Sequence, residues 1–365
     1  MVGHIRDGLV NKGKNRNASI ELLRIILMFG ICLLHVCGQG KYESVFPKNV
    51  LCCTVVGFMF ISGYFGIRFS LSKLVSLYAL AIFYCLVEPL IGGVLWGGGG
   101  YCSAVLDAWR ARDGYWFLHA YAILMTLTPL IEKSFCEKRS AALIAAAIPF
   151  MCVVFCWSYA IGFSHFKRLI PRPVGLTNSG SVITMLGIYI AARVFRLSDI
   201  GRKLSWKTSL AGIAVIGCTI SLTRGYLASY ASPFQLVLAA LIFCLFSHVR
   251  IPKWAEQCVL LISPSMFGVY LLHAMIYLPG MDNKVYSLMN SIRDPLIDDG
   301  MNRYIAYLVV AILVFAVSLA IDMLRRAALY LVRPKIRILS QKADMLPGWI
   351  GEQIEKALNR AEQTS

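Results

Sequence analysis

Apolar residues in this chain fall in long runs, not in the short alternating or helical-face patterns of a soluble domain. Ten runs, bounded by charge or by Gly and Pro, cover roughly 19–38, 46–67, 73–96, 115–131, 140–162, 178–195, 208–224, 231–247, 257–278 and 303–324. About 20 apolar residues in a row, rising about 1.5 Å each, cross the hydrocarbon core of a bilayer as a helix. A helix is favoured there because it satisfies its own backbone hydrogen bonds where lipid offers none. The pattern predicts an all-α fold, a polytopic transmembrane helix bundle of about 10 spans. The sixth run is rich in small and polar residues, as expected of a helix packed inside the bundle.

Composition supports this and adds an orientation. The 365 residues are 58% hydrophobic and only 15% charged, yet 36 Lys and Arg face 19 Asp and Glu, a net charge of +17. A disordered basic tail would be poor in apolar residues, and a soluble nucleic-acid binder would carry its basic patch on an ordinary polar surface. Neither describes this chain, and no nucleic-acid partner is expected. With the N-terminus inside, 24 of the Lys and Arg residues fall in cytoplasmic segments and 10 in the outer segments 39–49, 97–114, 163–177, 224–230 and 279–302, while Arg24 and Arg303 lie within spans. The excess of basic residues in cytoplasmic loops places both termini in the cytoplasm and the protein, multi-pass, in the inner or plasma membrane of the cell.

The chain divides into a basic N-terminal segment over 1–18, a transmembrane domain over 19–324 and a basic cytoplasmic tail over 325–365. The first apolar run is long and no small-residue cleavage site follows it, so it is read as an uncleaved first helix. The tail mixes Leu, Ile and Trp with basic residues and is read as an amphipathic or irregular segment. No further soluble domain, internal repeat, phosphate-binding loop or nucleophile elbow is expected. The 12 cysteines are scattered through apolar runs without zinc spacing, which predicts free buried thiols and no metal.

Ionisable side chains at membrane depth are costly and therefore candidates for function. His35, Glu88 and His273 lie about 15 or 16 residues into outward-running spans, and His119 about 4 residues into an inward-running one. All four reach a similar level in the outer half of the bilayer. Arg24 precedes His35 by eleven residues, three helical turns, so one stripe presents a cation near the cytoplasmic surface and an imidazole deeper in. Arginine suits a phosphate-bearing ligand, and histidine suits proton transfer near neutral pH. Each has an ordinary reading too: Arg24 as a snorkelling cation, the histidines as satisfied packing residues, and Trp116 with Phe117 as an interfacial aromatic belt. Glu88 precedes Pro89, a proline that frees a backbone carbonyl. Lys167, Arg168 and Arg172 in the 163–177 outer loop break the positive-inside trend and point to an anionic ligand, such as a lipid pyrophosphate.

The segment Glu21-Leu22-Leu23-Arg24 followed by His35 resembles the R-x10-H signature on the first helix of the acyltransferase-3 family of integral-membrane acyltransferases. Phe60-Ile61-Ser62-Gly63-Tyr64-Phe65 is similar to that family's second-helix F-x-S-G-Y/F segment. The stretch Tyr115-Trp116-Phe117-Leu118 through Tyr121 to Thr128-Pro129-Leu130 resembles its W-F-L…Y…L…P-L span. Ser265-Met266-Phe267-Gly268-Val269-Tyr270-Leu271-Leu272-His273 resembles its late S-x-x-x-G-x-Y-L-x-H helix. The resemblance implies O-acyl transfer, usually of acetyl, from cytoplasmic acetyl-CoA (acyl-CoA) to a hydroxyl of a cell-envelope glycan or lipid-linked saccharide. It implies His35 as the essential histidine, a catalytic base or acyl relay, with Arg24 as its partner and as one of the residues that bind the CoA phosphates. Where many members carry an R-x-x-R pair before the third helix, this chain has Arg68 and Lys73. These two, with Arg193 and Arg196, are assigned to the CoA phosphates. Glu88, His273 or His119 would assist His35, and Trp116, Tyr64 and the basic 163–177 loop would meet the acceptor. A transporter or flippase for a lipid-linked saccharide, with the same residues along a polar pathway, is the alternative, and a membrane sensor or scaffold the third.

Overall fold

A computed structural model of the chain describes residues 16–38, 40–96, 115–136, 147–150, 152–153, 181–223, 227–273, 282–330, 344–345 and 347. The side chains of 45, 88–96, 133–136, 202 and 282–288 are outside that description. Every regular element among the described residues is a helix, with no strand among them. In chain order the helices are α1 (Ala18–Cys37), α2 (Val45–Leu51), α3 (Cys53–Phe65), α4 (Leu71–Trp96), α5 (Trp116–Cys136), α6 (Val182–Leu197), α7 (Ile200–Lys203), α8 (Trp206–Leu222), α9 (Pro233–Ser247), α10 (Lys253–Ile262), α11 (Met266–His273), α12 (Asp282–Asp298) and α13 (Arg303–Tyr330). Nine of the ten predicted runs contain one of these helices; the tenth, 140–162, lies mostly outside the described residues. Four helical stretches are long and apolar enough to cross a membrane: Ala18–Cys37, Phe46–Phe65, Lys253–His273 and Arg303–Tyr330. Large apolar side chains stand exposed on these stretches, Leu324 and Val317 among them, as suits a surface bathed in lipid.

Two boundaries differ from expectation. Residues 279–302, read as an outer loop, contain α12. That helix is too polar to register as an apolar run; among its described side chains, Met289 and Arg293 are buried. The last helix continues to Tyr330, six residues past the boundary drawn at 324, because Arg325 and Arg326 find partners within the protein and need not leave it.

α1 occupies the centre. Asn17 caps it, its side-chain oxygen accepting from the Ser19 N–H at 3.0 Å, and Glu21 in the first turn complements the positive end of the helix dipole. Twelve of its residues are buried, and Leu22, Ile25, Ile26, Phe29 and Leu33 form one narrow, less buried stripe in which Ile26 is exposed. The second span is α2 and α3 in near-continuity, both neighbouring residues of the break at Cys52 being helical. Buried Gln235 on α9 donates to the Asn49 carbonyl at 2.7 Å and to the Leu227 carbonyl at 2.9 Å, satisfying backbone at this level.

α3 and α6 approach closely at Gly63. A Cβ there would lie 2.5 Å from the Tyr189 carbonyl oxygen and 2.8 Å from the Ala192 Cβ. These neighbours are backbone and a stub side chain, so they can yield only by moving α6. Gly63→Ala is expected to cost about 1–3 kcal/mol by overpacking, read as a lower thermal midpoint of the detergent-extracted protein.

At the start of α4, Asp344 of the tail accepts from the Ser72 N–H (2.9 Å), the Ser72 hydroxyl (2.7 Å) and the Ser70 hydroxyl (3.0 Å). The Ser72 bonds, hydroxyl first and then backbone, hold this carboxyl below the usual carboxylate range. A lowered value means the contact is present above the unfolded value of about 3.9 and lost only as pH falls through the lower folded one. The tail is therefore expected to stay docked at pH 5, and Asp344→Asn to loosen it there, measured as protease access to the tail.

Candidate active site

The first helix sets the site. Arg24, Met28, Ile31 and His35 follow one another at four-, three- and four-residue steps and share one face. Met28, Ile31 and His35 line one cavity, open on one side. α3 reaches it with Val55 and Phe58, since a close approach at Gly30, where a Cβ would lie 2.5 Å from the Thr54 methyl, brings the two helices together. Trp116 and Phe117 at the start of α5 and Phe267 and Tyr270 on α11 complete the walls, with Tyr230 from the segment before α9. The Trp116 and Tyr230 rings stack, centroids 5.7 Å apart and planes at 20°.

His273 backs His35. Their ring centroids are 4.9 Å apart with planes at 32°. His273 is 2% exposed, and its Nδ1 lies 2.8 Å from the Val269 carbonyl oxygen. A carbonyl only accepts, so Nδ1 carries the hydrogen and Nε2 keeps its lone pair. Nε2 is buried without a hydrogen-bond partner among the described residues. The site therefore holds a buried imidazole with a defined tautomer, packed against one that opens on an aromatic cavity.

A belt of buried polar groups fixes the α11 segment below His273. α10 ends at a 3-10 turn over Ser263–Ser265, and Arg326 of α13 ties that turn through the Leu261 carbonyl (2.9 Å) and the Ser265 hydroxyl (2.8 Å). Asp322, fully buried, accepts from the Tyr84 hydroxyl at 2.6 Å and from Arg325 at 2.8 and 3.0 Å. Gly268 lies directly over it: a Cβ there would collide with the Asp322 carboxylate.

The other residues singled out from the sequence lie elsewhere or are occupied. His119 is exposed on the flank of the bundle, its Nδ1 3.2 Å from the Tyr78 hydroxyl, and does not line the cavity. Its depth matched that of His35, but the orientation of α5 turns it onto α4. Arg24 is one-third exposed and pairs with Glu21 at 2.6 Å. Arg193 is mostly buried and pairs with Glu132 at 2.6 Å, so α5 supplies the partner of a cation assigned to phosphate. Arg196 donates to the Tyr64 carbonyl at 2.9 Å and closes the end of α3. Tyr64 packs on Phe243 and not in the cavity. Arg68 and Lys73 are exposed, Lys73 donating to the Tyr121 hydroxyl at 3.2 Å. Of the acceptor residues, Trp116 alone lines the cavity; Lys167, Arg168 and Arg172 lie outside the described residues, as does the Glu88 side chain. Tyr230 and Phe58 were not foreseen, because an aromatic residue in an apolar run carries no mark of the direction it faces.

A family model described as an acyltransferase domain matches residues 17–323, a range that contains both histidines and every wall of the cavity. No curated protein and no solved structure matches the chain. A match over this much of the chain, joined to a bundle of apolar helices with a histidine pair at its centre, shows that this membrane protein belongs to the acyltransferase-3 family and is an acyltransferase.

Proposed function

We propose that the protein moves an acyl group, acetyl by preference, from cytoplasmic acyl-CoA to a hydroxyl of a cell-envelope glycan or lipid-linked saccharide. In this reading it crosses the cell membrane about ten times with both termini cytoplasmic. The observation that carries the chemistry is the His35–His273 pair, 4.9 Å apart, at a cavity that continues along Met28 and Ile31 toward Arg24. Seven residues separate Met28 from His35, about 10 Å of helix, a length over which an extended pantetheine arm can run.

The CoA phosphates dock at the cytoplasmic face on Arg24, whose pair with Glu21 uses Nη1, and on exposed Arg68 and Lys73. The thioester arm lies along the apolar stripe and brings its carbonyl carbon to His35. The His35 imidazole takes the acceptor's hydroxyl proton as the oxygen attacks that carbon. The C–O bond forms, the C–S bond breaks, and the CoA thiolate leaves with the proton returned from His35. The Trp116–Tyr230 stack offers a flat aromatic face of the kind that packs on a sugar ring.

Transfer of label from [acetyl]-CoA into an endogenous membrane acceptor, parent beside His35→Ala, tests the proposal. Transfer that depends on acyl-CoA in the parent and is lost in the variant is expected. Movement of a lipid-linked saccharide by both, without acyl transfer, would overturn it in favour of transport.

A further inference from the structure

Building on the role of His35 above, we propose that Arg293 of α12 is a positioning residue that holds the end of the His35 helix in place. Arg293 is 1% exposed and is the largest of the fully buried side chains. Its Nη1 donates to the Val36 carbonyl at 2.9 Å. Val36 directly follows His35, in the last turn of α1, where carbonyls have no intrahelical donor. Each of the last three carbonyls is satisfied from a different source: His35 by the Gly38 N–H (3.3 Å), Cys37 by the Ser44 N–H (3.0 Å), and Val36 by Arg293. Only the Arg293 bond comes from a distant element, and it places a cation at the negative end of the α1 dipole.

The guanidinium is itself fixed from every side. Nε and Nη2 hold Asp294 at 2.8 and 2.7 Å, which balances the buried charge. The Tyr307 ring of α13 lies 5.9 Å below it. Gly40, at φ +81°, closes over the top: a Cβ there would stand 2.7 Å from Nη2 and 2.8 Å from the Asn290 side chain. Tyr307 donates to the Tyr42 carbonyl, and Lys41 pairs with Asp298 at 2.9 Å, so α12 and α13 both grip the strand of chain leaving α1. Arg293 does not line the cavity, which leaves it no contact with the reacting atoms. Its leverage is on the last turn of α1 and hence on the His35 ring beside His273.

The test compares Arg293→Met, Arg293→Lys and, as a control at the exposed C-terminal end of α12, Asp299→Asn, each in membranes and normalised to folded protein. Arg293→Met is expected to lower kcat by roughly 100-fold, the cost of displacing a reacting group by about 1 Å, with KM for acetyl-CoA within about 2-fold. Arg293→Lys, which can still donate to Val36, is expected to recover most of the rate, and Asp299→Asn to resemble the parent. Hydrogen exchange reads the clamp without any assumption about activity: amides of 34–38 should exchange faster in Arg293→Met, those of 20–27 unchanged. Unchanged exchange at 34–38, or an unchanged kcat, overturns the positioning role. A parent without acyl-CoA-dependent transfer, alongside faster exchange at 34–38 in Arg293→Met, overturns the enzymatic reading and leaves the clamp standing.

Discussion

His35→Ala is expected to lower acyl transfer by about 10²- to 10⁴-fold, the range a positioned general base contributes, while the protein still extracts and unfolds as a single bundle. The separation of the two effects follows from where the side chain sits. His35 faces a cavity already present, so truncation enlarges an opening and crushes no packed neighbour. In the proposed reading the donor's phosphates sit on Arg24, Arg68 and Lys73, away from His35, so KM for acetyl-CoA should change little while kcat collapses. His35→Gln keeps the volume and a donor but has no basic nitrogen, and it should be equally inactive. Steady-state transfer from labelled acetyl-CoA in membranes, with the thermal midpoint of each variant, measures both. A variant within a few-fold of the parent would remove His35 from the chemistry.

The second large effect is on stability. Asp322→Ala is expected to cost about 3–5 kcal/mol, the usual loss when one partner of a buried charge pair is removed. Asp322 is fully buried, and its Oδ1 is the common acceptor for Tyr84 and for both Arg325 contacts. Removing it strands a guanidinium that is only 15% exposed and a buried hydroxyl. Because the loss is mostly the unpaired arginine, the double variant Asp322→Ala with Arg325→Met should be more stable than Asp322→Ala alone. Gly268→Ala should act at the same point from the other side, since its new methyl collides with that carboxylate and pushes α11 away from α13. Fluorescence-detected thermal unfolding in detergent reads all three, and equal midpoints for Asp322→Ala and the parent would show that the belt contributes nothing to the bundle.

Much of the fold was legible along the chain because a bilayer imposes a simple rule. An apolar run must be a helix, and α1, α3–α6, α8–α11 and α13 stand where such runs predicted them. α12 was not legible for the same reason: its sequence DNKVYSLMNSIRDPLID is polar, and only its packing on α1 and α13 makes it an element. Arg293 disappeared with it, counted as one basic residue of an outer loop. The histidines divide more finely. Helical rise gave His35, His119 and His273 a common depth, but depth is one coordinate of three. His35 and His273 meet across α1 and α11, whereas α5 directs His119 to Tyr78 on the flank.

The cations follow the same division. A count of Lys and Arg orients the chain, yet it could not separate Arg24, one-third exposed at the mouth of the stripe, from Arg193, closed onto Glu132. By itself the sequence determined an all-helical membrane bundle, the family motifs, and the Arg24–His35 stripe, all of which rest on contacts or periodicities within a single helix. The tertiary structure alone decided which helices face one another: that His273 backs His35, that Trp116 stacks on Tyr230, that Asp322 anchors α11, and that Arg293 clamps the end of α1. Rotation of one helix against another is set by side-chain packing between residues tens to hundreds of positions apart, and no local pattern records it.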